Sequence, residues 1–102
     1  MRIDHFEDGR FVAELPEGPA VLEYELVPPA IMDIQSTYVP EPARGRGIAA
    51  ELVQAAVSHA RASGWRIIPS CSYVAFWFSE HPEARDRIGR ELVIVADVFD
   101  GI

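Results

Sequence analysis

The sequence predicts an α+β domain: a mainly antiparallel sheet with a central amphipathic helix packed on it and a second short helix. Three observations carry that prediction. Strand-like runs separated by turns rich in proline and glycine occupy the N-terminal part of the chain. A single stretch, Ile48 to Ser63, then repeats its apolar residues at helical spacing. A short apolar run follows that helix at once, and a strand placed there implies a crossover that returns it to the sheet, roughly parallel to its predecessor.

Gly9 to Leu15 reads as the first strand, and Pro16-Glu17-Gly18-Pro19 supplies the turn that ends it. Ala20 to Leu26 is the second, alternating apolar and acidic from Leu22 onward, and Val27-Pro28-Pro29 closes it. Ala30 to Val39 is the third, with Ile31, Ile34 and Val39 in an imperfect pattern. In the helix, Ile48, Ala49, Leu52, Val53, Ala56, Val57 and Ala60 form one stripe, with Glu51, Gln54, Ser58, His59 and Arg61 opposite. Gly64 is its C-terminal stop, and Trp65 to Pro69 is the next strand. Ser70 or Ser72 caps a second helix that runs to about Glu80, before the His81-Pro82 break. Glu83 to Gly89 is polar and helical or irregular, and Leu92-Val93-Ile94-Val95 suggests a final strand between Glu91 and Phe99.

Composition bounds the function. A chain of 102 residues fits one domain, spanning residues 1–102, and hides roughly 60–70% of its unfolded surface. The hydrophobic share of 49% is that of a soluble globular protein, and no apolar run approaches the ~20 residues that cross a bilayer. The start, Met1 to Asp8, lacks the apolar stretch of a signal peptide, and the single cysteine, Cys71, fits a reducing compartment, so a cytoplasmic protein is expected. A net charge of -7 argues against nonspecific binding to nucleic acid, and the acidic balance suits a cationic partner. His5, His59, His81 and Cys71 show no metal-ligand spacing, so no metal site is expected.

The stretch that points to a ligand is Arg44-Gly45-Arg46-Gly47-Ile48-Ala49, set between the third strand and the strong helix. A glycine-bearing turn there aims backbone N–H groups at an anion, where orphan amides and the helix dipole favour negative charge. Arg44 and Arg46 make the loop locally positive against an acidic background. The plainer alternative is that Gly45 and Gly47 only permit a tight strand-to-helix turn.

The order strand, Arg44-x-x-Gly47-x-Ala49, amphipathic helix, short strand, second helix resembles the cofactor-binding half of the GNAT acetyltransferases. Gly45-Arg46-Gly47-Ile48-Ala49, Pro69-Ser70-Cys71-Ser72 and His81-Pro82-Glu83 resemble, more narrowly, the small single-domain GNAT-like proteins. The resemblance implies an acetyl-CoA-dependent N-acetyltransferase. It implies coenzyme A pyrophosphate on the amides from Arg44 to Ala49, the pantetheine arm along the strand ending at Tyr38-Val39, and the thioester in a wedge between that strand and Trp65 to Ile68. Two positions depart from those relatives: Ser36-Thr37 stands where a His-Thr pair is common, and Ala84 where an aromatic residue often follows His-Pro-Glu. The chain is short for a full GNAT domain and lacks room for the two helices that usually follow the first strand. An open acceptor side follows, completed by a partner protein or a second subunit in a homodimer. The amine acceptor itself is not legible.

Acetyl transfer needs a deprotonated nucleophile, donors for the tetrahedral oxyanion and an acid for the leaving thiolate. The amide near Val39 is the oxyanion donor that the resemblance suggests. Cys71, just before the second helix, reads either as an acetyl-accepting thiolate activated by the helix N-terminus or as a small buried hydrophobe. Cysteine at this position in the small GNAT-like proteins strengthens the catalytic alternative. Tyr38 and Tyr73 offer a phenolic proton but read as core residues. His81 reads as the end of its helix, His5 as part of a frayed terminus and His59 as a polar-face residue. Glu23 and Glu25 share a strand face and read as solvated rather than as a base. Phe76, Trp77 and Phe78 read as core in preference to a channel wall, and Arg85, Arg87 and Arg90 as surface in preference to ribose-phosphate ligands. A noncatalytic acyl-CoA-binding module, or an interaction domain, is the competing reading.

Overall fold

A computed structural model describes residues 1–89. Five strands form one sheet in the order β1-β2-β3-β4-β5. They are β1 (Ile3–Phe6), β2 (Arg10–Leu15), β3 (Gly18–Val27), β4 (Ile31–Tyr38) and β5 (Arg66–Pro69). The first four pair antiparallel, and β5 joins β4 in parallel through the crossover helix α1 (Ile48–Ser63). A second helix, α2 (Ser72–Glu80), precedes a 3₁₀ turn at Pro82–Arg87. The α+β expectation therefore stands, as do the limits of α1. The suggested strand between Glu91 and Phe99, and Arg90, lie outside the described residues.

Alternation explains how the sheet acquires two chemically different faces. Phe11, Ala13, Ala20, Leu22, Tyr24, Met32, Ile34 and Ile67 point one way and are buried against α1, whose stripe of Ile48, Leu52, Val53, Ala56, Val57 and Ala60 completes the layer. Val74, Trp77 and Phe78 bring α2 into the same core. The other face carries Glu14, Glu23 and Glu25, all exposed. Glu23 accepts from the Ser36 hydroxyl at 3.4 Å and Glu25 from the Gln35 amide at 3.2 Å, the solvated pairing expected of them. Gly64 ends α1 in the left-handed region, its N–H reaching the carbonyls of Ala60 and Arg61.

One local expectation fails. The N-terminus is not frayed: Ile3 to Phe6 pairs with Ala13 to Arg10 as an edge strand. In consequence His5 and His59 pack together, ring centroids 4.2 Å apart, with His5 also stacked on Phe11 at 4.5 Å and its Nε2 hydrogen-bonded to the Tyr24 hydroxyl at 2.6 Å. The alternation of Ile3 and His5 with Asp4 ahead of Gly9 is the signal that marks this strand, but four residues give periodicity little to work on.

The histidine pair makes stability sensitive to acid. Burial, and after it the neighbouring His59, hold His5 below its usual value of 6.5, while Glu7 and Asp8 pull the other way. The unfolded chain then binds a proton more readily than the folded one, so the stabilisation is complete above pH 6.5 and is lost as pH falls through the folded value. Thermal melts should show the wild-type midpoint dropping faster than that of His5→Phe as pH is lowered from neutrality. Parallel curves for the two proteins would contradict this.

Candidate functional site

β4 ends at Tyr38, and the chain then makes a 3₁₀ turn at Glu41–Ala43 before the Arg44–Gly47 arch that feeds α1. Proline at position 42 suits the first turn of that short helix, and the buried Ala43 anchors it to the core. Gly47 is the N-cap of α1, at φ 77, and Gly45 has φ 84; both lie in the left-handed region that side chains resist. Apart from the glycine and its two chain neighbours, no atom of the described residues stands within 4 Å of where a Cβ would sit on either one. No side chain caps the first turn of α1, and Gly47 to Ala50 border open space.

That space is a cavity of about 440 Å³, within the range of small-ligand sites. Its wall combines the end of β4 (Thr37, Tyr38) with Val39 just past it, Ala43 and the arch (Arg44, Gly45, Gly47), and the first turn of α1, with Tyr73 of α2 closing it. Tyr38, expected in the core, is 55% exposed instead. Of the residues read from the sequence as a cofactor loop, Arg44, Gly45, Gly47, Ile48 and Ala49 line the cavity. The Arg46 side chain does not; it turns to Glu17. The Arg44 guanidinium braces the loop from within, its Nε donating to the Val39 carbonyl at 2.8 Å.

Cys71 is beside this cavity and is not among the residues that line it. It is itself the N-cap residue of α2, a place the sequence assigned to Ser70 or Ser72. Its backbone N–H is held by the Ile34 carbonyl of β4 at 2.9 Å, and Ser70 is tied to Asp33 at 2.6 Å, so the β5–α2 turn is fastened to β4. The Cys71 sulfur lies 3.6 Å from the Thr37 hydroxyl, and Thr37 does line the cavity. Burial pushes the thiol up, but the Val74 amide, the Thr37 hydroxyl and the amides of Tyr73 and Thr37 outweigh it and leave the thiol below its ordinary range. Tyr73 is pushed the opposite way by burial, which keeps its phenol protonated.

The wedge between strands is placed differently from the expectation. Arg66 to Pro69 are paired with Ile31 to Ile34, so no gap exists beside them. The opening begins past Ile34 and Pro69, where β4 continues through Thr37 and Tyr38 paired with β3 alone and the chain after β5 turns into α2. Trp65 belongs instead to the aromatic cluster of Tyr24 and His59.

The remaining candidates are structural. His81 stacks on Trp77 at 3.9 Å, and its Nδ1 donates to the Trp77 carbonyl at 2.8 Å, closing α2 as the sequence suggests. Trp77 and Phe78 are core, whereas Phe76 is exposed. Arg85 donates to the Phe78 and Ser79 carbonyls and Arg87 to that of Trp65, so both guanidiniums bind the protein's own backbone. Ala84 is buried. Among the described residues no three His, Cys, Asp or Glu side chains gather as a metal site, and no helix is long and apolar enough to cross a membrane.

Comparison with known proteins agrees with this architecture. Residues 10–87 match the family model of the GCN5-related N-acetyltransferases. The mouse protein NATD1 is 40% identical over 85 residues, covering 80% of this chain and 77% of that protein. The zebrafish NATD1 is 38% identical over 93 residues, 86% of this chain and 84% of that one. With bovine NATD1 the match is 41% over 63 residues and spans just 56% of the relative's length. The solution structure of a GCN5-like protein from Staphylococcus aureus superimposes with a TM-score of 0.70 at 27% identity, covering 86% of this chain and 87% of that one. Strand order, crossover helix, glycine arch and sequence likeness converge, and the chain belongs to the GCN5-related N-acetyltransferase family.

Proposed function

We propose that this chain is an acetyl-CoA-dependent N-acetyltransferase that passes the acetyl group through Cys71 to an amine. The observation that carries the proposal is the continuity of one cavity from the uncapped amides of α1 to Thr37, whose hydroxyl touches the Cys71 sulfur. The fit of the group is chemical as well as spatial. Amides from Arg44 to Ala49 suit a pyrophosphate, and the mainly apolar wall of Val39, Ala43, Ile48, Ala50 and Tyr73 suits a pantetheine arm.

Acetyl-CoA supplies a thioester whose carbonyl carbon is electrophilic and whose leaving group is a thiolate. The Cys71 thiolate, stabilised by the first amides of α2, forms the new S–C bond as the C–S bond to coenzyme A breaks with its electron pair. Tyr73, protonated and on the cavity wall, is the donor for the departing sulfur. A deprotonated amine then takes the acetyl group, the bonding pair returns to the Cys71 sulfur, and the proton that the amine nitrogen sheds restores the Tyr73 phenol.

The absence of Cys71 from the cavity lining favours a second reading, a noncatalytic acyl-CoA-binding module. Calorimetric titration with acetyl-CoA, followed by intact-mass analysis with and without a panel of amines, separates the two. The transferase should gain one acetyl group on Cys71 and lose it when the right amine is added. Binding with no acetyl gain, no coenzyme A release and no acetylated amine would establish the module instead.

A further inference from the structure

Arg46 is the one residue of the arch whose side chain the cavity does not use. Its Nη1 lies 2.8 Å from Glu17 Oε2, and its Nη2 lies 3.4 Å from the Pro42 carbonyl. Glu17 belongs to the turn joining β2 to β3, far from the arch in sequence. Its side chain is 19% exposed, and its second oxygen, Oε1, is shut off from solvent. The first residue of β3 also lies near the start of the loop, since a Cβ built on Gly18 would stand 3.7 Å from Pro40 Cγ.

A carboxylate beside an anion cradle opposes the arrival of phosphate unless its charge is committed elsewhere. Here it is committed to Arg46. We infer that Glu17 is a positioning residue for the cofactor loop: through Arg46 it fastens the arch to the β2–β3 turn, so that the loop amides face the cavity before a ligand arrives. The inference rests on the reading of this loop as a phosphate cradle. Two glycines held at positive φ have many alternatives in a free loop, and a brace that removes them lowers the cost of ordering on binding. Arg46 is then a brace rather than a phosphate ligand, while its backbone amide stays part of the cradle.

The test uses the full chain with Glu17→Gln, Arg46→Met and the double variant, titrated with coenzyme A at about 0.1 M and about 1 M salt, where charges are felt over ~10 Å and ~3 Å. Each single variant should loosen binding about fivefold, in the same direction at both salts, and the double should be no looser than the weaker single. Hydrogen exchange of the Arg44 and Glu51 amides, which donate to the Glu41 and Gly47 carbonyls at the two ends of the arch, should quicken several-fold in both variants of the unliganded protein, with core amides of α1 unchanged as the check on folding. Charge alone would give opposite signs: tighter binding in Glu17→Gln and looser in Arg46→Met. That result, or losses that simply add, overturns the inference. If the wild type binds no coenzyme A, the cofactor reading fails, and the exchange data alone decide on the brace; unchanged loop exchange in both variants overturns it.

Discussion

Gly47→Glu is expected to weaken acetyl-CoA binding by at least ~100-fold, a loss of about 3 kcal/mol, while the protein still folds. Gly47 sits at φ 77 with open cavity where its Cβ would be, so a side chain there stands in the space that a phosphate would fill. The glutamate also places a negative charge at the mouth of an anion cradle, where the loop amides would otherwise meet phosphate directly. Folding tolerates the change better. Left-handed backbone costs a non-glycine residue about 1–2 kcal/mol, and an acidic group at a helix N-terminus returns some of that. For a domain of this size the melting point should fall by roughly 5–10 °C. Calorimetric titration beside a thermal melt checks both halves, and a folded variant that binds acetyl-CoA within threefold of wild type would remove the arch from the site.

Cys71→Ala should leave coenzyme A affinity within about twofold of wild type and lower amine acetylation by about 100-fold or more, because it deletes the acetyl-accepting atom and nothing that lines the cavity. The acetyl adduct seen by intact mass should vanish with it. Wild-type Cys71 should also react with a small alkylating agent at neutral pH faster than an ordinary thiol, since the α2 amides and Thr37 hold it below its usual range. Undiminished turnover in Cys71→Ala would mean that the amine attacks the thioester directly, with the cysteine a bystander. That outcome would leave the cofactor loop untouched and revise only the reacting end.

How much of this was legible in the sequence depends on the range of the interaction involved. The α1 helix could be read to the residue because its determinants are local: a continuous apolar stripe, an unsubstituted glycine before it and another after it. β1 could not, because four residues of alternation are indistinguishable from chance until Gly9 turns the chain and β2 offers a partner. His5 and His59 lie fifty-four positions apart and gave no sign of each other; only the packing of an edge strand beside α1 makes them neighbours. The cap of α2 falls one residue from either serine for a related reason. Serine is the better intrinsic cap, yet the bond from the Cys71 N–H to the Ile34 carbonyl decides where the turn ends.

The candidate site divides along the same line. The glycine arch ahead of an amphipathic helix was visible because backbone conformation and helix polarity follow from residues adjacent in the chain. That Thr37 meets Cys71, that the opening lies past the β4–β5 pairing, and that Glu17 claims Arg46 are facts of chain crossings, joining residues 34, 35 and 29 positions apart. The sequence by itself determined the fold class, the helix and the anion-facing loop, since periodicity, turn chemistry and backbone propensity act over a few residues. Only the tertiary structure decided which side chains converge on that loop, because such contacts are set by strand register and crossover geometry, and a one-residue change in register would turn every one of them to the other face.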